Sequence, residues 1–352
     1  SVQAWVYLIG ENPGKTMSII YRSTVNGGES FSLSVENRIA KFSIGGAGGQ
    51  TLSTGPIPAF TWIQLTGTYD GEIMKLYFGK DLEVSISHTL LELDRYTTGE
   101  GLYIGKSNED TFRGLIDEIR LWNIALGENN INGSGGNGNP AEPFPSSLAP
   151  YLAGQWSFNE ITSYDGTNIL EDFSDSLNHL RVDGITEIVN SKHLPFFVVK
   201  SIGDDGDALL GDGKATSFNG EVTLRSAIEE VNILPSQQTI YFYIQGTDPL
   251  IQPLTVLPPV IQPVIFDGTV QSLYAGEPLV VVDGTYGGLT VTAGGSTING
   301  LVIDNSSGYG LTLSAVGGNT IVANQISGIL ISSSDNNIND NSITNSTGDG
   351  IS

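Results

Sequence analysis

Short apolar phrases return at regular intervals along the last third of the chain. Ser296–Ile303, Asn319–Ile326 and Asn336–Ile343 each carry Ile at their third and last positions. Returns at a spacing of about 20 residues are typical of solenoids, whose short units bury an apolar face only by stacking. The pattern predicts a parallel β-helix with Gly and Asn at corners that need left-handed backbone. Its inward ladders are expected to be formed by Ile298, Ile303, Ile321, Ile326, Ile338 and Ile343.

The first 195 residues follow a different pattern, in which apolar and polar residues alternate over short runs. Met17–Tyr21, Phe31–Val35 and Met74–Phe78 are such runs, and turn signals such as Asp70-Gly71 separate them. Many short strands at regular spacing favour an antiparallel sandwich.

One helix is predicted between these two patterns. Thr223 is a suitable N-cap, and the apolar residues that follow it fall on one helical face, namely Leu224, Ala227, Ile228 and Val231. The preceding segment, residues 196–222, is rich in Gly and Asp and is predicted to be an acidic linker. Its Asp residues lack the spacing of an EF-hand loop.

Composition limits the possible partners. The chain has 15 Lys and Arg against 38 Asp and Glu, a formal net charge of -23. Such a balance argues against nucleic acid and against docking on anionic lipid, and no apolar stretch is long enough for membrane insertion. Cys is absent, which excludes disulfides and thiolate metal sites.

Several phrases in the first half occur in the order found in one known family. They are Trp62–Gly71, Leu102–Gly105, Phe112–Asn123 and Ala125-Leu126. Residues 1 to about 131 closely resemble the laminin-G-like, pentraxin-like group of concanavalin-type jelly rolls. A Gly/Asn/Pro-rich insertion follows at residues 132–150. Then come the phrases Tyr151–Glu160 and Leu170–Arg181, which open the jelly roll in that family. Here they either close the first sandwich from its C-terminal side, the interpretation we favour, or belong to a second one.

The second half is similar to bacterial surface proteins that carry a right-handed β-helix. In those proteins a helix with the pattern of Thr223–Ile228 caps the first coil. Such a cap covers an apolar end and unpaired strand edges. Together the resemblances imply an all-β fold, an antiparallel jelly-roll β-sandwich followed by a right-handed parallel β-helix with a short capping helix. The predicted domains are residues 1–195, the linker 196–222, and the β-helix 223–352, which is expected to continue beyond this C-terminus.

The laminin-G resemblance also implies a structural calcium site. Its residues are Asp117 on the strand that matches the family, and Asp172, Ser174, Asp175 and Asn178 on the loop that resembles the calcium loop of the family. Calcium binds 6–8 oxygen ligands, which carboxylates, amide carbonyls and backbone provide. A second, looser match is Asn108–Asp110.

No motif for catalysis is found. His88, His179 and His193 lie apart, and the chain beyond Arg225 contains no Lys, Arg or His. The Asp residues of the repeats adjoin Gly or Asn and are expected to lie in turns. We therefore expect a non-catalytic, extracellular protein of the cell surface, which serves adhesion or attachment to a glycan or surface polymer. Two alternatives remain open: a subunit of a layer or filament that self-assembles with neighbouring chains, and a fragment of a polysaccharide-active enzyme.

Overall fold

The computed structural model describes residues 1–11, 14–24, 29–45, 49–88, 101–106, 111–132, 144–164, 167–182, 194–304, 308–344 and 349–352. The chain forms two compact units, Ser1–Ile188 and Val189–Ser352. The first is antiparallel and the second is parallel, so the all-β fold class predicted from the sequence is confirmed.

Short strands separated by tight turns build the first unit. At one of these turns, Asp70 Oδ1 accepts hydrogen bonds from the N–H groups of Glu72 and Ile73, at 2.8 and 2.7 Å. The strands are β1 (Val2–Leu8), β2 (Thr16–Ser23), β3 (Glu29–Glu36), β4 (Ile39–Ile44), β5 (Gln50–Pro56), β6 (Trp62–Tyr69), β7 (Ile73–Phe78), β8 (Asp81–Ser87), β9 (Leu102–Ile104), β10 (Gly114–Trp122), β11 (Leu152–Trp156), β12 (Thr162–Tyr164), β13 (Thr167–Leu170) and β14 (Leu180–Arg181).

Two larger sheets form the sandwich, in the orders β11-β10-β1-β6-β7-β8 and β5-β4-β3-β2-β9, and β12-β13-β14 form a small third sheet. Strand β11 pairs with β10, with Trp156 opposite Ile119. This pairing agrees with the interpretation we favoured for residues 152–156, whereas β12, β13 and β14 lie in the separate small sheet. A short α-helix, α1 (Glu128–Asn132), and a 3-10 helix (Ser146–Tyr151) lie between β10 and β11.

The second unit contains the predicted helix, α2 (Leu224–Val231), and its cap is a capping box. Ser226 N–H donates to Thr223 Oγ1 at 3.0 Å, and Thr223 N–H donates to Ser226 Oγ at 2.9 Å. The strands are β15 (Phe196–Val199), β16 (Gln238–Phe242), β17 (Leu250–Ile251), β18 (Val264–Asp267), β19 (Val280–Asp283), β20 (Leu289–Val291), β21 (Thr297–Asn299), β22 (Leu301–Asp304), β23 (Leu311–Leu313), β24 (Thr320–Val322), β25 (Gln325–Ile326), β26 (Ile329–Ile331), β27 (Asn337–Asn339) and β28 (Ser342–Ile343).

These strands form three parallel sheets, which the chain visits in turn. Their orders are β15-β16-β18-β21-β24-β27, β17-β19-β22-β25-β28 and β20-β23-β26. Since β18, β19 and β20 lie in different sheets and β21 returns to the first, each circuit is one coil of a parallel β-helix. The right-handedness of the coil stays a prediction.

The predicted apolar ladders are present. Ile298, Ile321 and Ile338 are paired in successive strands of the first sheet, as are Ile303, Ile326 and Ile343 in the second. Those of the middle coils are fully buried.

The corners differ from the prediction in one respect. The left-handed positions of one corner hold Gly300, Ala323 and Asp340, with φ of 70°, 52° and 55°. The buried Asn324 and the half-buried Asn341 come one residue later and form a ladder instead. Asn324 Nδ2 donates to Asn341 Oδ1 at 3.0 Å, and Asn324 Oδ1 accepts from Leu301 N–H at 2.9 Å. Asn is needed at these places because its amide can both donate and accept between coils.

The predicted linker, residues 196–222, is a structured part of the second unit. Strand β15 pairs in parallel with β16, and Phe197, Val199 and Ala215 belong to the same apolar core as the coils. Arg225 of α2 holds the segment in place through two 2.9 Å hydrogen bonds to Asp204. The content of Gly and Asp predicted a linker, but the apolar residues of this segment pack into the core of the coils.

Candidate functional site

The six-stranded sheet of the sandwich has an inner face and an outer face. Gly67 lies on the inner face, where a Cβ would approach the ring of Phe42 in the opposite sheet to 2.4 Å. Residues Gln3, Trp5 and Tyr7 alternate with the core residues of β1 and therefore lie on the outer face. The bond from Gln3 Nε2 to Thr66 Oγ1, 3.2 Å long, joins two side chains of that face.

Aromatic rings cluster at one end of the outer face. Tyr7 is opposite Trp62 in the register of β1 and β6, and their ring centroids are 5.7 Å apart at 64°. Phe60 contacts Tyr7 edge-on at 6.3 Å. Trp62 is half-buried, so its ring retains an accessible surface. Burial raises the pKa of Tyr7, so its hydroxyl stays neutral.

Polar groups adjoin these rings. Trp5 is opposite both Gln64 on β6 and Asp117 on β10. The indole N–H of Trp5 is buried and has no acceptor among the residues that the structure describes. A buried donor of this kind is costly unless water or a ligand supplies the acceptor.

Asp117 is half-buried, and burial raises its pKa to about 6. Its Oδ1 accepts a 2.8 Å hydrogen bond from the N–H of Glu118. The backbone of Glu118 is left-handed, with a φ of 45°. The register of β1 and β10 shifts there, between Gln3 and Trp5. A bulge can aim a side chain away from the regular pleat. We call Trp5, Tyr7, Trp62, Gln64 and Asp117 the aromatic–carboxylate cluster.

The other end of the outer face is covered. Arg120 Nη2 donates to Glu118 Oε2 at 2.8 Å, and the ring of Phe144 lies 5.4 Å from the guanidinium carbon. Phe144 also contacts Trp122 edge-on at 4.9 Å. Beside them, the segment after β10 completes an apolar cluster of Tyr77, Trp122, Leu126, Ile131 and Leu148. The charge of Arg120 at this end is therefore neutralised by Glu118 within the protein.

The loop after β13, residues 171–178, is organised by Asp172, which is buried. Its Oδ1 accepts from the N–H groups of Gln155 and Ser174, at 2.7 and 2.9 Å. Its Oδ2 accepts from Ser174 Oγ and Asn178 N–H, at 2.9 and 2.8 Å. The Asp172 N–H in turn donates to His179 Nδ1 at 3.1 Å, which gives this histidine a structural role.

These contacts bear on the predicted calcium site. A carboxylate has about four lone-pair positions, and all four on Asp172 are already used. The structure brings Asp172 and Ser174 together, whereas Asp175 and Asn178 are exposed and Asp117 lies on β10. No group of three His, Asp or Glu side chains in the described ranges could hold a metal. Protein donors thus occupy the carboxylate of Asp172, and calcium binding by the predicted residues stays a prediction.

Other candidates from the sequence have simpler roles or lie outside the described residues. Asp267 Oδ1 accepts from Thr269 N–H and Asp283 Oδ1 from Thr285 N–H, each at 2.9 Å, as expected of turn residues. The second calcium candidate, Asn108–Asp110, and His193 lie outside the described residues. The aromatic–carboxylate cluster was missed, although alternation of Gln3, Trp5 and Tyr7 could have indicated a polar face on a buried strand.

Comparison with known families addresses the first unit. Residues 1–132 match a laminin G family described as the Concanavalin A-like lectin/glucanases superfamily. The resemblance inferred for residues 1 to about 131 is thereby confirmed. A search of curated proteins found no match.

Solved structures show weaker similarity. A Bacteroides ovatus protein assigned a carbohydrate-binding role is 20% identical, with a TM-score of 0.40, 53% of this chain covered and 52% of the other. The heptameric SAP-like pentraxin of Limulus polyphemus is 15% identical, with a TM-score of 0.35, covering 50% and 83%. The sialidase carbohydrate-binding module CBM40 of Ruminococcus gnavus, bound to sialyllactose, is 12% identical, with a TM-score of 0.32, covering 37% and 78%. The chain spans about half the length of the first of these. Similarity this low carries no inference about a ligand.

None of the helices found in the described part of the chain has the length and apolarity needed to cross a bilayer.

Proposed function

We propose that the first unit is a non-catalytic carbohydrate-binding module of an extracellular surface protein, and that it binds neutral glycans at the aromatic–carboxylate cluster. The observation that carries the proposal is the placement of a half-buried Trp62 and a half-buried Asp117 beside the unpartnered indole N–H of Trp5. Sugars present apolar C–H faces beside hydroxyl groups, and rings with a few fixed polar groups complement both. The family match of residues 1–132 supports this choice of ligand class.

Neutral sugars are favoured by charge. Asp117 is the carboxylate that the cluster offers, Arg120 is already paired with Glu118, and the chain has a net charge of -23. An anionic polysaccharide would be repelled over most of the surface. Hydrolysis is also disfavoured. A glycosidase needs two carboxylates that face each other across the bond, and the cluster offers Asp117 alone.

The second unit suits the role of a rigid carrier. Its coils are joined by continuous parallel pairing and by buried ladders. Attachment to a glycan through the first unit and display by the second is the adhesive function expected from the sequence.

The test is a glycan array of neutral and anionic oligosaccharides, followed by calorimetric titration of the best ligand. We expect Trp62→Ala to weaken binding at least tenfold, about 1.4 kcal/mol, with a melting temperature close to that of the wild type. The matched control is Tyr151→Ala, since Tyr151 is an aromatic residue 44% exposed outside the cluster. An array without a hit, or equal affinities of the two variants, would refute the proposal.

A further inference from the structure

Two side-chain oxygens near the start of the second unit are buried without a hydrogen-bond partner. They are Oδ2 of Asp207 and Oγ of Ser217, and neither has a partner among the residues that the structure describes. The two residues are opposite each other in an antiparallel bridge, so their side chains point to the same side. Ser217 as a whole is only 3% exposed. Buried oxygens of this kind are costly unless a ligand or water contacts them.

The loop that begins at Asp207 lies on the C-terminal half of α2. Glu230 is fully buried, and its Oε2 and Oε1 accept hydrogen bonds from the N–H groups of Gly211 and Gly213, both at 2.6 Å. At the start of the loop, Asp207 N–H donates to Glu229 Oε2 at 2.7 Å. A carboxylate has about four lone-pair positions, so Glu230 can still contact a cation after these two bonds.

The carboxylates at this place lack a positive partner. Asp207, Glu229 and Glu230 form no ion pair with a Lys or Arg of the described ranges. Arg225, the basic residue of α2, is paired with Asp204 at 2.9 Å. Buried charges in proteins are normally paired or bound to a metal. The charge distribution therefore favours a cation taken up from solution.

The oxygens available indicate which cation fits. No set of three His, Asp or Glu side chains in the described residues could hold a metal, and this place offers two carboxylates and the Ser217 hydroxyl. Burial raises the pKa of Asp207 to about 6 and the charge of Glu230 adds to this rise, which agrees with two carboxylates close together. Calcium takes about 6–8 oxygen ligands, whereas magnesium is commonly held by one or two carboxylates and keeps several waters.

We propose that Asp207, Ser217 and Glu230 bind a divalent cation of the magnesium class, which fastens the loop to α2. The ion gives a partner to the two buried oxygens and offsets the buried charge of Glu230. The apolar residues of α2 belong to the same core as the coils, so the ion connects the loop to a helix that packs on the β-helix.

The test is amide hydrogen exchange of the full chain at neutral pH with and without magnesium. EGTA is present throughout, so that calcium cannot act at another loop. We expect magnesium to raise the protection factors of Gly211 and Gly213, by up to about a hundredfold at 100 times its Kd. The amide of Ile321, in a central coil, is the internal control and should not respond.

Ser217→Ala is the sharpest variant, because it removes a hydroxyl that makes no hydrogen bond with the described residues. We expect calorimetric titration to show magnesium binding weakened at least about tenfold, since even groups that only support a metal ligand contribute that much. Asp207→Asn should abolish the effect of magnesium on exchange. Asp205→Asn is the matched control, because Asp205 is exposed and bonded to Asn219, and it should keep the affinity of the wild type.

Protection of Gly211 and Gly213 that magnesium does not change would overturn the proposal. Equal affinities of Ser217→Ala and Asp205→Asn would also overturn it. A change in stability of Ser217→Ala that is the same with and without magnesium would assign the place to a buried water instead of an ion. If Asp207→Asn does not fold, the titration of Ser217→Ala decides alone.

Discussion

The coils around Asn324 and the outer face of the sandwich treat buried polar groups in different ways. In the coils, Asn324 is buried and every polar atom of its amide is paired with a neighbouring coil or its own strand. In the sandwich, the indole N–H groups of Trp5 and Trp122 are buried on the outer face without a partner among the described residues. This difference indicates where a functional site lies, because natural proteins leave buried polar groups without hydrogen-bond partners mainly at functional sites.

The comparison is tested most severely by placing a charge in a coil. Ile321→Asp would bury a carboxylate between Ile298 and Ile338, and we expect loss of more than about 4 kcal/mol, enough to prevent folding of the second unit. Val322→Asp is the matched control, because the side chain of Val322 lies next to Ile321 in sequence but on the opposite face of the same strand. Circular dichroism and soluble yield measure the folding of both variants. Equal stability of the two variants would show that the inward register is wrong.

Removing one rung of the ladder should cost less. Asn324→Ala removes the side-chain hydrogen bonds with the N–H of Leu301 and with the carbonyls of Ile298 and Val322, and we expect a loss of about 3 kcal/mol. Asn339→Ala, in which an exposed amide is lost, should change stability by less than about 0.5 kcal/mol. Urea unfolding gives both values. A small effect at Asn324 would mean that the ladder is not what distinguishes the coils.

Calcium tests the sandwich side of the comparison. If the exposed oxygens of Asp175 and Asn178 bind the ion, calcium at 100 times its Kd stabilises the native state by about 2.7 kcal/mol. The melting temperature should then be higher with calcium than with chelator, and Asp175→Asn should remove that difference. Asp172→Asn should lower the melting temperature equally with and without calcium, because its bonds are to protein donors. A melting curve that calcium does not change would contradict the prediction.

The smallest effect is expected at a corner. Ala323 has a φ of 52°, between Gly300 and Asp340 at equivalent places of adjacent coils. Left-handed backbone costs a residue with a Cβ about 1–2 kcal/mol, so Ala323→Gly should raise stability by up to about 1 kcal/mol. The same change at Ala293, which has no such φ, should not stabilise. A thermal shift that is equal for both would contradict the corner assignment.

The sequence by itself determined the periodic features. The Ile ladders, the capped helix and the alternating strands followed from spacing, because a repeat buries its apolar face only in one register. The family of residues 1–132 was also readable, since its phrases occur in order.

Tertiary structure decided what depends on distant partners. Residues 196–222 looked like a linker until Phe197 and Ala215 met the coil core. Four protein donors surround the Asp172 carboxylate, an arrangement that the sequence did not show. Trp5, Trp62 and Asp117 come from three strands, and only the pairing of β1 with β6 and β10 places them on one face. Local pattern fixes which way a side chain points, but whether it meets an acceptor, a donor or solvent depends on chain segments far away in sequence.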